Sequence, residues 1–209
     1  MNKFLLIFFV SAFCFSQSSK DNAKSYISDK NYKKAQQELT SFLKTNPSDI
    51  EAIELLGDAY GYQKKWDEAI EQYERLKDNY PNNANYHYKY GGALGMKALS
   101  ISKIKALGII GDVKKAFLRA AELDPKHIDA RWALVELYVS LPGIIGGSNS
   151  KALKYANELQ NLSKVDGYLA KGYVYEYDDE PVSSDKKGNM NSYNGKRMMM
   201  KIYKIGFFG

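Results

Sequence analysis

Cysteine is almost absent from this chain, since Cys14 is the only one in 209 residues. A disulfide within the chain needs two, so none can form. Histidine is nearly as scarce: His87 and His127 stand 40 residues apart, and neither has a second His or a Cys at metal-ligand spacing. That excludes the usual zinc patterns and leaves no metal or cofactor expected. Also missing is any long hydrophobic run. The longest lies at the start, Phe4 to Phe15, and its 12 residues fall short of the roughly 20 that a spanning helix needs.

That opening run has a different reading. "MNKFLLIFFVSAFCFSQ" carries one positive charge at Lys3, an apolar stretch, and the small residues Cys14 and Ser16 ahead of Gln17. This is the layout of a secretory signal peptide over residues 1–16. A retained anchor and a lipoprotein signal at Cys14 are the alternatives, the latter opposed by bulky Phe13. Removal of the signal would take the only thiol with it, leaving no Cys nucleophile.

A one-sided charge is lacking as well, once the charges are located. The formal net charge is +6, yet residues 17–180 hold 23 basic and 23 acidic residues. The excess sits in residues 181–209, where Lys186, Lys187, Lys196, Arg197, Lys201 and Lys204 face only Asp185. A balanced body argues against a nucleic-acid footprint. With 44% apolar and 13% aromatic residues, it has enough material for a sizeable core.

What the body does have is a period. Tyr26, Ala35, Leu39, Phe42 and Pro47 are followed, each 34 residues later, by Tyr60, Ala69, Tyr73, Leu76 and Pro81. The stretch "IEAIELLGDAYGYQKKWDEAIEQYERLKDNYP" combines Ile53, Leu56-Gly57 and Tyr60 in one helical segment with Ala69, Tyr73 and Pro81 in the next. Spacing and residue types resemble the tetratricopeptide repeat, a pair of antiparallel helices A and B. Gly57 and Ala69 would let the helices approach closely, with Tyr60 and Tyr73 filling the space beside the contact. Ser48 and Glu51 read as a capping box at the start of helix A.

The pattern continues with variations. "NNANYHYKYGGALGMKA" opens a third repeat with Gly91 at the close-packing place, and Phe117, Ala120 and Pro125 close it. Pro125 follows Pro81 by 44 residues rather than 34, so this repeat is longer. The added segment keeps helical composition with apolar residues on two sides, which predicts a lengthened helix A from about Ala84 to about Leu107. "DARWALVELY" opens a fourth repeat with Leu134, Val135 and Tyr138, and Ala152, Ala156 and Leu159 mark its helix B. "VDGYLAKGYVYEY" supplies a fifth helix A with Gly172 and Tyr175. Its helix B positions fall on Ser184, Gly188, Asn191 and Lys196, which do not fit.

The resemblance therefore implies an all-α, right-handed solenoid of antiparallel helix pairs over residues 17–180, with about four repeats and an incomplete fifth. Residues 181–209 read as a polar, disordered tail, as a basic and apolar peptide that touches a membrane surface or a partner, or as the product of a frame change in the gene.

No nucleophile elbow, dinucleotide fingerprint or metalloprotease motif is present. No enzyme is expected. The resemblance implies instead a protein or peptide partner held in a concave groove lined by helix A. Residue by residue, the groove positions fall on Lys20, Lys24 and Ile27; on Glu54, Asp58 and Tyr62; on Tyr88, Gly92 and Met96; and on Trp132, Glu136 and Val139. Tyr88 and Trp132 would be its anchors, unless Trp132 packs against the next repeat. His87 would be packed, and His127 a solvated turn residue. With the export signal, the expectation is a periplasmic or secreted interaction scaffold. The alternative is an assembly or regulatory component held at a membrane by its tail or by a retained anchor.

One short motif occurs twice. Gly108-Ile109-Ile110-Gly111 recurs 35 residues later as Gly143-Ile144-Ile145-Gly146, preceded by Pro142 and followed by Gly147. A phosphate loop would need a Gly-Lys-Ser/Thr ending after a strand, which is not there. In the repeat frame both copies fall at the A-to-B turn and are expected to pack on each other, with Ser148 or Ser150 capping the next helix.

Overall fold

The computed structural model describes residues 19–178, and all regular structure in that span is helical. The expected signal at 1–16 and tail at 181–209 lie outside the described residues. The helices follow one another as sequential antiparallel pairs. Among the described residues they divide into two compact units, separated between Asn79 and Tyr80.

The first unit contains α1 (residues 19–28), α2 (Tyr32–Thr45), α3 (Ile50–Tyr62) and α4 (Trp66–Asn79). Its core joins Ala23, Leu39, Phe42, Ala52 and Leu56, with Leu43, Leu55 and Tyr60 packed around it. The two A-to-B turns are copies of each other. Lys30 and Lys64 both take left-handed backbone angles, φ 59° and 60°. In each turn the next amide reaches back five residues, from Asn31 to Tyr26 O at 2.7 Å and from Lys65 to Tyr60 O at 3.0 Å. This is a Schellman stop with Lys where glycine is usual.

Close packing follows the expected residues. A Cβ added to Gly57 would sit 2.7 Å from the Tyr73 ring, so only glycine lets α4 lie so near α3. Ala69 and Tyr73 are fully buried. The capping box is corrected by one residue: Asp49, not Ser48, caps α3, its carboxylate accepting from Ala52 N at 2.9 Å. Glu51 pairs instead with Lys20 at 2.9 Å and with Lys24.

The second unit contains α5 (Ala84–Ser100), α6 (Lys103–Leu123), α7 (Ile128–Ser140), a short 3-10 turn (Gly143–Ile145), α8 (Asn149–Leu162) and α9 (Lys164–Asp178). The third repeat departs from expectation. Its added residues do not prolong helix A to Leu107; they are divided between α5 and a 21-residue α6. The chain reverses at Ile101 and Ser102, both in extended conformations (φ −111°, ψ 173° and φ −64°, ψ 148°). Any residue adopts these, so the turn needs neither Gly nor Pro and left no mark in composition.

That shift decides the repeated motif. Gly108-Ile109-Ile110-Gly111 lies inside α6 and is not a loop. Only the second copy turns the chain. Pro142 precedes it, Gly146 has φ 102°, and a Cβ on Gly147 would fall 1.7 Å from Leu141 O. Ser148 then caps α8, accepting from Lys151 N at 3.3 Å. The expected packing of the two copies is corrected too, because Ile144 is 96% exposed. The turn does approach α6, but at Lys114, whose Nζ is 3.4 Å from the place of a Gly146 Cβ.

Candidate interaction surface

In the first unit, Glu54, Asp58 and Tyr62 follow at four-residue steps on α3 and so share one face. Asp58 is buried there, accepting a hydrogen bond from the Tyr73 hydroxyl at 2.6 Å. Burial, then the Asp58 carboxylate, push the Tyr73 phenol well above its usual range. Glu54 and Tyr62 act in the same direction on that hydroxyl. Tyr62 stacks on Tyr32 with centroids 4.5 Å apart and planes 8° apart. Glu54 and Tyr62 remain half-exposed. Lys20, an expected groove position of the first repeat, is tied up locally, since it pairs with Asp49 at 3.1 Å and with Glu51. The Glu51 carboxyl is held below its usual range first by Lys24 and then by Lys20.

The second unit moves the expected anchors inward. Trp132 is 4% exposed, Tyr88 6%, Met96 3% and Glu136 3%. Trp132 Nε1 donates to Asp166 Oδ1 at 2.9 Å, so this ring fastens α7 to α9. Tyr88 lies between Phe117 (5.9 Å) and the His127 ring (5.0 Å). Its phenol is raised by burial first, then by Asp129 and Glu136. All four are buried in α5 and α7 and offer a partner little surface. Their helical spacing was right for one face, but in α5 and α7 that face is covered.

The open surface of this unit lies one turn earlier. A shallow cleft of about 620 Å³ is lined by residues that include Asn82, Asn83, Asn85, Lys126, His127 and Asp129. Two helices begin at it. Asn83 Oδ1 accepts from Asn85 N at 3.0 Å and Tyr86 N at 3.3 Å, starting α5. His127 Nδ1 accepts from Ala130 N at 3.3 Å, starting α7. His127 is thus a half-buried helix cap, not a solvated turn residue, and burial lowers its pKa from 6.5. His87 is not packed as expected; it is half-exposed, with Nε2 2.9 Å from Pro81 O. The sequence carried a signal for the cleft: Asn82-Asn83 and Lys126-His127 each follow the proline that closes a repeat. Amides, one ammonium and carboxylates at such a cleft suit hydrogen bonding to a polypeptide. Among the described residues no group of His, Cys, Asp and Glu could hold a metal ion.

Paired antiparallel helices with buried small and aromatic residues at 34-residue intervals give this chain a tetratricopeptide-like fold. A tetratricopeptide-repeat family model matches residues 26–91. Among solved structures, a thermophilic TPR protein of Thermus thermophilus is similar with a TM-score of 0.63 at 16% identity, over 78% of this chain and 83% of that one. A MamA protein gives a TM-score of 0.61 at 20% identity over 78% and 82%. MamA from Desulfovibrio magneticus RS-1 gives 0.59 at 16% over 72% and 76%. At such identities the likeness establishes the fold. No curated protein matches the sequence.

Proposed function

We propose that this protein is an exported, non-catalytic scaffold that binds a peptide or partner protein on its helix A surfaces. The observation that carries the reading is the repeat fold itself, matched along most of its length by TPR proteins. Such repeats build a continuous surface from units that each contribute a few side chains. In the first unit the contact surface is the half-exposed Glu54 and Tyr62 on α3; in the second it is the cleft at the starts of α5 and α7. The partner's backbone hydrogen-bonds there to the polar side chains that line the cleft, Asn82 and Lys126 among them. Export rests on the layout of residues 1–16, and the periplasm or exterior is the proposed location.

The test is affinity capture from the native cells with the full protein, beside Glu54→Ala/Tyr62→Ala and Asn82→Ala/Lys126→Ala variants. A specific partner recovered by the wild type and lost from at least one variant supports the reading. Equal recovery by all three proteins would remove both proposed surfaces. A salt-resistant membrane fraction that depends on residues 181–209 would favour a membrane-held component instead.

A further inference from the structure

Helix α9 has two unlike faces. Ala170 and Val174 are buried, and a Cβ on Gly167 would lie 2.3 Å from Gln160 Cα, so this side is pressed onto α8. On the other side Val165, Tyr168, Leu169, Gly172 and Tyr175 recur at three- and four-residue steps. Val165 is 68% and Tyr168 65% exposed, and Leu169 and Tyr175 are more than half exposed. Large apolar and aromatic side chains around a glycine form a face that water covers at a cost.

The other repeats contain the answer to what such a face receives. In the repeat frame Gly172 corresponds to Gly57 and to Gly91. Gly57 is overlain by the Tyr73 ring, at 2.7 Å from its Cβ position, and Gly91 by Ala116 at 2.9 Å and Phe117 at 3.1 Å. Around Gly172 no described residue comes within 4 Å. Each covering helix presents a buried apolar residue, an aromatic four later and a second buried apolar residue three beyond that. The sets are Ala69, Tyr73, Leu76 in α4 and Val113, Phe117, Ala120 in α6.

We propose that the chain's own segment 196–208, which lies outside the described residues, covers this face with Tyr203 seated over Gly172. Among the aromatics of residues 179–209, Tyr203 alone stands four after an apolar residue and three before a small one, as Met199, Tyr203 and Gly206. These match Val113, Phe117 and Ala120 in spacing and kind. Residues 179–198 provide 20 positions of connection, about 66 Å when extended, against about 22 Å for the length of α9. Charge agrees with an antiparallel arrangement. The segment opens with Lys196 and Arg197 and carries Lys201 and Lys204, while the last turn of α9 holds Glu176 and Asp178. The fifth repeat is then completed by a helix B that arrives 15 residues later than the standard interval, Met199 taking the place the repeat frame gives to Ser184.

Absence of other thiols makes the test direct. In the full chain carrying Cys14→Ser, the pair Gly172→Cys and Tyr203→Cys is exposed to mild oxidation, and the product is sized and mapped by peptide mass. A disulfide within one monomer is the expected result. Bridges only between molecules, or none, would overturn the proposal; the former would assign the face to a second copy. Since Gly172→Cys could disturb the contact, Tyr203→Asp in the otherwise native chain is measured by hydrogen exchange. The α9 amides should exchange about tenfold faster, with those of α5 unchanged. Unchanged α9 exchange would also overturn it.

Discussion

Single atoms decide which glycines matter. A methyl on Gly57 meets the Tyr73 ring at 2.7 Å, and Tyr73 is held by Asp58 and cannot swing away. Gly57→Ala should therefore lower stability by about 1–3 kcal/mol in urea unfolding, the usual cost of overpacking a tight core. Gly108 and Gly111 meet nothing within 4 Å and lie within α6. Changing each to Ala should raise stability by about 0.5–1 kcal/mol through helix propensity alone, and a thermal melt would show the opposite sign from Gly57→Ala. His127 supplies a pH dependence. Burial lowers its pKa below the ordinary 6.5, outweighing the opposing pull of Asp129 and Asp124. Its Nδ1 must also stay unprotonated to cap α7. The unfolded chain thus binds the proton more readily, so the contribution is complete above pH 6.5 and is lost as pH falls through the folded-state value. His127→Asn keeps an acceptor at the cap and should flatten that part of the stability profile.

Elements were legible wherever a period-bearing residue was also a packing residue. Ala35, Leu39 and Phe42 in α2 and Ala69, Tyr73 and Leu76 in α4 were readable because the same positions are buried in both repeats. The break at Ile101-Ser102 was hidden because extended residues reverse the chain there without a breaker. The site was less legible than the fold. Periodicity identifies a shared face but not what lies against it, so Tyr88 was expected at the surface and is buried, while Trp132 follows the alternative expected for it and packs against the next repeat. The paired Schellman turns yield a prediction of their own. A non-glycine residue in the left-handed region costs roughly 1 kcal/mol, and both Lys30 and Lys64 carry that strain. Lys64→Gly should raise the melting temperature and Lys64→Val should lower it; equal melting of the two would contradict the assigned turn.

For the whole molecule, the export reading makes one clear demand. Protein recovered from the native cells should have an intact mass corresponding to a chain that begins at Gln17, and one that still carries Met1 would contradict cleavage. Net charge leads to another expectation. With 23 charges of each sign in residues 17–180, deletion of 181–209 should abolish any salt-sensitive binding to nucleic acid or anionic surfaces. Binding that persists would place a basic patch in the body. The two copies of Gly-Ile-Ile-Gly carry a last consequence. Identical letters form a helix in one place and a turn in the other, because Pro142 and Gly147 flank only the second. The tetrapeptide has no conformation of its own, and its neighbours legislate for it. Natural variants of this protein should record the difference as drift: free exchange at 108 and 111, and no tolerated replacement at 147.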